Sequence, residues 1–190
     1  MLAVMRRSSF ARWPCSIART MDLLGDWWTP LVLRECFYGI RRFDEFQSSL
    51  GIARNTLADR LRRLVDEGLL TKEPYQQEPV RYDYVLTEKG RDFFGVLAAM
   101  SRWGDRWLSG DEGEPIVFRH EPCGHDTHAE VVCAECREPM TAEDITPRPG
   151  PGYPPKLLTR PDVVERFGLL DKWVYLRNSP VQGLFRRRRA

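Results

Sequence analysis

The hydrophobic pattern of this 190-residue chain switches from helical spacing to strand spacing and back, and this order restricts the fold. Apolar residues recur at helical spacing up to residue 68. They then alternate over two short runs, residues 69–74 and 81–86, around a polar turn. Helical spacing returns from residue 87 to about residue 108. The pattern predicts a mainly α fold with a small β component, in which helices precede a two-stranded hairpin and one long helix follows it.

Four helices are predicted before the hairpin, and glycines end the last two. Gly51 interrupts the chain between two short helices, and Gly68 is a typical left-handed terminator of the fourth. One face of the fourth helix is apolar and the opposite face is polar. The predicted helices span residues 15–25, 29–39, 43–50 and 54–67, and the apolar stripe of the fourth contains Leu57, Leu61, Leu64 and Val65.

Two short helices around a glycine turn, followed by a hairpin, have the order of a winged helix-turn-helix. A helix fits the major groove of B-DNA, where its exposed N-terminal side chains reach the base edges. Charged residues on an amphipathic helix often form only a solvated surface, so the order of the elements carries this prediction. Asn55 can pair with adenine and Asp59 can accept from cytosine, whereas the arginines further along suit phosphates. The predicted DNA contacts are Arg54, Asn55, Thr56, Asp59, Arg62 and Arg63 on the helix and Gln77 and Arg81 on the hairpin.

Charge is unevenly distributed along the chain, although the net charge is only +2. The formal charge is +4 over residues 1–20, −8 over residues 111–146 and +7 over residues 147–190. Basic ends can hold phosphates or simply be solvated, whereas the acidic segment should repel nucleic acid. The predicted parts are a basic N-terminal arm (1–14), a DNA-binding and dimerisation domain (15–110), an acidic segment (111–146) and a Pro/Gly-rich linker with a basic tail (147–190).

The acidic segment carries two pairs of metal-binding side chains, and two residues separate the members of each pair. Two such turns can close a tetrahedral zinc site, and a segment this short has too small a core to fold without one. The alternative is a loop of reduced cysteines. Four protein ligands leave no open position, so the predicted small zinc ribbon, with strands at residues 116–118 and 131–132, is structural and not catalytic. The predicted ligands are His120, Cys123, Cys133 and Cys136, with His125 and His128 as competitors for the histidine position.

Seven motifs follow one another through the first 108 residues: CSIARTMDLLGDWWT from Cys15, LVLR from Leu31, RRFDEF from Arg41, NTLADRL from Asn55, EGL from Glu67, YVLTEKG from Tyr84 and WG from Trp103. Together they resemble the HxlR-type transcriptional regulators over about residues 13–108. The resemblance implies a homodimeric winged-helix protein that binds double-stranded DNA, with its first and last helices pairing the protomers. We expect it to act as a repressor.

Two positions depart from the family pattern. Ala53 and Arg54 stand where the family usually opens the recognition helix with Ser-Pro, and Asp26 or Trp27 stands where it usually has a lysine. Ala53 cannot cap the helix with its side chain, a loss of roughly 1 kcal/mol. The DNA sequence preference of the family therefore does not transfer to this chain.

The resemblance also places Cys15 where family members often carry a cysteine, some of them sensors of oxidants or electrophiles. Arg12 and Arg19 could lower the pKa of its thiol, and the alternative is a small buried hydrophobe. Cys36 is interpreted as a core residue. A small-molecule effector is a second hypothesis, because four tryptophans could line a pocket at the dimer interface, although such stripes are more often core. They are Trp27, Trp28, Trp103 and Trp107.

Other classes of protein find little support in the sequence. It has no Gly-rich phosphate loop, serine elbow or paired-carboxylate motif, so we do not expect an enzyme. No apolar run approaches the roughly 20 residues that span a bilayer, and the N-terminus lacks the apolar core of a signal peptide. We therefore expect a cytoplasmic protein without a membrane partner. The alternative function is a protein-interaction adaptor that uses the acidic ribbon and the long apolar helix, and salt-dependent binding to promoter DNA would separate the two.

Overall fold

The computed structural model describes residues 9–168, which fall into two compact units. One unit contains residues 19–139, and the other contains residues 9–18 together with residues 140–168. The helices and strands of the described chain are α1 (Ser16–Leu24), α2 (Trp28–Phe37), α3 (Phe43–Leu50), α4 (Arg54–Asp66), β1 (Leu70–Gln77), β2 (Val80–Leu86), α5 (Glu88–Asp92), α6 (Phe94–Leu108), β3 (Phe118–His120), β4 (His125–Thr127) and α7 (Pro161–Arg166).

The core of the larger unit lies between α2, α3 and α4. Leu57, Leu61 and Leu64 are spaced by three and four residues, so they share one face of α4, and all three are buried. This confirms the predicted stripe, with Val65 only half-buried at its edge. Phe46 supplies the fully buried side chain of α3. Each of these side chains contributes roughly 1.5–3 kcal/mol through removal of apolar surface from water.

The turn between α3 and α4 depends on glycine. Gly51 ends α3 with a φ of 61°, and its N–H donates to the carbonyl of Gln47 over 3.0 Å. Only glycine adopts this left-handed conformation without a steric cost. Ala53 precedes α4 in an extended conformation and gives it no side-chain cap, as the sequence predicts. The helix-turn-helix is therefore confirmed in the positions expected for it.

The hairpin that follows, which we call the wing, is longer than the sequence indicates. β1 and β2 are antiparallel, with Leu70 opposite Leu86 at the base and Gln77 opposite Val80 at the tip. The predicted end of β1 at Pro74 is wrong, because the register shifts between Pro74 and Gln76 and pairing resumes beyond it. A proline is tolerated in a two-stranded sheet, since both strands are edges and a bulge absorbs the missing donor.

The predicted single helix after the wing is two helices. Thr87 caps α5 as expected, its Oγ1 accepting from the N–H of Gly90 over 3.1 Å. At Phe93 the hydrogen bonds tighten: its N–H donates to the Gly90 carbonyl over 3.2 Å, and the N–H of Val96 donates to the Phe93 carbonyl over 3.1 Å. These three-residue spacings interrupt the α-helical ladder at Phe93, whose side chain is buried in the core.

The segment after α6 forms a second small hairpin. β3 pairs with β4, with Phe118 opposite Thr127 and His120 opposite His125. The strand predicted at residues 131–132 is wrong, because Val132 makes only an isolated bridge to Pro139. The hairpin packs on α6 through Phe118, whose ring centroid lies 5.7 Å from that of Phe94.

The smaller unit contains α7, a 3₁₀ turn at Pro155–Leu157 and the buried side chain of Val163. The second half of the predicted linker and basic tail, from residue 169 onward, and the first eight residues of the predicted basic arm lie outside the described residues. None of the helices in residues 9–168 is both long enough and apolar enough to span a membrane.

Candidate nucleic-acid interface

The first turns of α4 present the side chains predicted to reach DNA bases. Arg54, Asn55 and Asp59 are exposed, and Thr56 is half-buried. The guanidinium of Arg54 lies 5.0 Å from the ring centroid of Phe43, so the start of α3 supports it through a cation–π contact. The structure thus brings the predicted base-reading residues together on one accessible surface.

The predicted phosphate contacts on α4 differ from each other in their surroundings. Arg62 is exposed and forms an ion pair with Asp59 one turn earlier. Arg63 is half-buried, and its guanidinium donates to the carbonyl oxygen of Asp22 near the end of α1. Arg62 can exchange an exposed carboxylate for a phosphate, whereas Arg63 ties α4 to α1.

A residue that the sequence analysis did not assign to the site, Arg60, also positions α4. Its guanidinium forms an ion pair with Asp26, and both side chains are largely buried. The other oxygen of Asp26 accepts from the backbone N–H of Trp28 over 2.8 Å and of Thr29 over 3.2 Å. Asp26 therefore caps α2 and holds α4 at the same time. An aspartate at the start of a predicted helix is a recognisable capping signal, whereas its partner on α4 is not visible in sequence.

The wing adds an aromatic surface beside α4, with Arg42 against it and Arg81 near its tip. Arg42 lies 4.4 Å from the ring centroid of Tyr75 and makes an ion pair of 3.4 Å with Asp83. A groove of about 450 Å³ runs between the wing and the start of α3 and α4, and Arg54 and Arg81 are among its lining residues. The predicted wing contacts, Gln77 and Arg81, are exposed at or next to the tip. Sequence reasoning missed Tyr75 and Tyr82, which the fold brings to this groove, and Arg42, which contacts the ring of Tyr75.

The two cysteines of the N-terminal region have different environments. Cys15 is exposed immediately before α1. Cys36 is half-buried on α2, packs against the core as interpreted, and burial raises the pKa of its thiol to about 12. A thiol so protonated at neutral pH is a poor nucleophile.

The predicted zinc ligands form two close pairs. The Nδ1 of His120 lies 3.2 Å from the Sγ of Cys123. Backbone N–H groups of Cys136 and Glu135 and the Cys136 side chain hydrogen-bond to Cys133 and hold the pKa of its thiol below its ordinary value. Within residues 9–168 no three histidine, cysteine or acidic side chains converge as a set of metal ligands. The structure therefore brings together the members of each pair but not the two pairs.

The tryptophans expected at a dimer interface are mostly exposed. Trp103 and Trp107 on α6 are 60% and 62% exposed, and Trp27 is 80% exposed, while Trp28 packs against the core. Val96, Met100 and Leu108 extend this apolar surface along α6. An apolar surface of this kind on a single chain indicates a contact with another surface.

A helix-turn-helix whose second helix has accessible N-terminal side chains, flanked by a two-stranded wing, is the arrangement of a winged helix-turn-helix DNA-binding protein. Comparison with known proteins supports this class. Residues 23–112 match the profile of the HxlR-like helix-turn-helix family. The uncharacterised HTH-type transcriptional regulator Rv3095 of Mycobacterium tuberculosis is 46% identical over 142 residues, which are 75% of this chain and 90% of that protein. The chain therefore belongs to the HxlR-like helix-turn-helix family.

Solved structures agree with this assignment. The crystal structure of PA1607, a candidate transcription factor, has a TM-score of 0.65 and 34% identity, and the match covers 73% of this chain and 96% of that one. The structure of PA1374, a candidate transcription factor from Pseudomonas aeruginosa, has a TM-score of 0.54 and 38% identity, with 75% and 97% covered. The predicted function, a DNA-binding transcriptional regulator, is confirmed at this level, and the adaptor alternative finds no support.

Proposed function

We propose that the protein regulates transcription as a homodimer that reads DNA bases with α4 and holds the backbone with the wing. The observation that carries the proposal is the accessible first turn of α4, where Arg54 and Asn55 project beside the basic groove of the wing. An asparagine side chain at this place can make a bidentate contact with adenine. Arg54 and Arg81 supply charge to the groove through which the DNA backbone passes.

The exposed face of α6 is the proposed dimer contact. Met100, Trp103 and Trp107 are each more than half exposed, although they are among the most apolar side chains of the chain. Pairing this face with a second copy removes it from water and brings the two α4 helices to successive major grooves, roughly 34 Å apart. A dimer seated on two half-sites occupies promoter DNA, and this favours repression by exclusion of other proteins.

Control of DNA binding is proposed at the N-terminal side of the fold. Cys15 is exposed, so an oxidant or electrophile can reach its thiol, whereas Cys36 is shielded.

The apolar groove on α6, lined by Val96, Met100 and Trp103 among others, could accept a small apolar effector in place of part of the dimer contact. Residues 111–146 are proposed to be an appended structural ribbon that lies away from DNA, because their formal charge is −8.

The test is a footprint and binding titration on the DNA upstream of the protein's own coding sequence. We expect a protected region with two half-sites about one helical turn apart. Asn55→Ala should relax preference at one base position in each half-site, whereas Arg62→Ala should weaken binding to all sequences alike. An Asn55→Ala protein with unchanged affinity and base preference would show that α4 is not the reading helix.

A further inference from the structure

The segment after α6 contains two turns with the same backbone geometry. In the first, the N–H of Gly124 donates to the carbonyl of His120 over 2.8 Å, and in the second the N–H of Arg137 donates to the carbonyl of Cys133 over 2.9 Å. Gly124 has a φ of 70°, and Arg137 has a φ of 64°. Arg137 is the non-glycine residue with positive φ in the described part of the chain.

A positive φ at Arg137 is informative because a side chain makes it costly. A residue with a Cβ pays about 1–2 kcal/mol in the left-handed region. Such a conformation persists where the surroundings require it, and it is concentrated at ligand sites. The two turns therefore share a geometry that is easy at Gly124 and strained at Arg137.

The shared geometry places the first and fourth residues of each turn side by side. The Nδ1 of His120 and the Sγ of Cys123 are 3.2 Å apart, and the side chains of Cys133 and Cys136 hydrogen-bond to each other. One turn thus presents a nitrogen and a sulfur, and the other presents two sulfurs. Zinc prefers this donor set with four ligands in a tetrahedron, whereas magnesium and calcium prefer oxygen.

Each turn is held in place by its own backbone contacts. The first closes the hairpin of β3 and β4. The second is fixed by the bridge between Val132 and Pro139 and by the N–H of Cys133, which donates to the carbonyl of Glu138 over 2.8 Å. Residues 128–131 join the two turns without regular secondary structure, so bringing the two pairs together requires a change in this connection and not in the backbone hydrogen bonds of either turn.

We propose that the two turns close on a single Zn²⁺ held by His120, Cys123, Cys133 and Cys136. The ion completes a core for a segment whose apolar side chains are mostly exposed, including Ile116, Val117 and Val131. Its role is structural because four protein ligands fill the coordination sphere.

His125 is the competing ligand that the fold makes relevant. It stands opposite His120 in the β3–β4 register, and paired residues of an antiparallel hairpin project from the same face. His128 lies beyond the hairpin, and its Nε2 is 3.6 Å from the Oε1 of Glu130. The assignment of the nitrogen ligand to His120 therefore follows from its contact with Cys123.

The experiment measures metal in the full-length protein, purified without chelators. Elemental analysis should give about one zinc per chain. The variant with Cys133→Ser and Cys136→Ser should lose the zinc, and the matched control Cys36→Ser should keep it. Cobalt substituted for zinc should give the intense visible absorption of a tetrahedral thiolate site. The His120→Ala substitution should weaken this absorption, and His128→Ala should leave it unchanged.

The outcomes separate this proposal from the proposed function. Zinc loss should expose residues 116–140 to protease, while DNA binding persists because the core around α2 to α4 contains no residue of this segment. The proposal is overturned if the fresh protein holds no zinc and cobalt gives no tetrahedral spectrum, or if Cys133→Ser with Cys136→Ser retains full metal. A spectrum lost in His125→Ala and kept in His120→Ala would overturn the assignment of His120.

Discussion

The two neighbouring arginines of α4 should respond in opposite ways to the same substitution. Arg62→Ala removes an exposed guanidinium that is paired only with the exposed Asp59, and such pairs contribute at most about 1 kcal/mol. Arg63→Ala removes the donor to the Asp22 carbonyl, a charged hydrogen bond worth about 1.5–3 kcal/mol. The first change should therefore act on DNA binding, and the second should act on stability.

The size of the DNA effect follows from counterion release. Each phosphate contact contributes about −0.9 to the slope of log K against the logarithm of the salt concentration. Because a dimer loses two such contacts in Arg62→Ala, the slope should become less negative by about 1.8. When the salt concentration rises fourfold, the affinity of the parent protein should therefore fall by a factor roughly 12 times larger than that of the variant. Fluorescence anisotropy with a labelled operator at several salt concentrations measures this slope, and thermal unfolding measures stability.

Arg63→Ala is the matched comparison. Its melting temperature should fall by roughly 5 °C or more, with the salt slope per bound dimer unchanged. The reasoning is refuted if Arg62→Ala keeps the parental slope. It is also refuted if Arg63→Ala reduces the slope as much as Arg62→Ala without a change in melting temperature.

Three further changes have defined outcomes. Gly90→Ala should destabilise the fold by about 1–3 kcal/mol in chemical unfolding, because its Cβ would overlap the backbone oxygen of Leu69. A parental midpoint would contradict the close packing. Trp103→Asp should give monomers in sedimentation at micromolar concentration, since it charges the exposed face of α6, and an unchanged dimer would place the interface elsewhere. Cys36 should resist alkylation at pH 8 while Cys15 reacts. Because the folded thiol of Cys36 has a pKa near 12 and the unfolded thiol near 9, folding stability should fall as pH rises from 9 to 12, by up to about 1.4 kcal/mol per pH unit. Cys36→Ser should remove that slope.

The helix-turn-helix was predictable because its signals are local. Gly51 and Gly68 end helices through their own backbone conformation, and the leucines of α4 repeat at the helical period. The wing and the last helix were less predictable. Pro74 suggests a strand end, but the register shift that tolerates it depends on the partner strand. The break at Phe93 coincides with burial of that ring in a core formed by residues distant in sequence, which local spacing does not reveal.

The candidate site also contains some residues that the sequence predicts and others that only the fold reveals. Spacing alone predicts the exposed start of α4 and the two proposed metal-ligand pairs, because each lies within one or two turns of chain. Arg60 and Arg63 look alike in sequence to Arg62, yet they contact Asp26 and the Asp22 carbonyl. Only the packing of α1 and α2 against α4 separates residues that position the helix from residues that can reach DNA.

The contacts between the end of α4 and the start of α5 bear on how the proposed dimer would set the distance between its two reading helices. At the C-terminal end of α4, Lys89 donates to the carbonyl of Glu67 over 2.6 Å and Thr87 donates to the carbonyl of Gly68 over 2.6 Å. These two donors lie at the start of α5, so the polypeptide that leads into α6 is fastened directly to the end of α4. A displacement of α5 would therefore be passed directly to the end of α4. If the proposed dimer forms through α6, its half-site spacing would depend on that contact, and a signal that alters the contact would reach α4 through this junction and change DNA affinity.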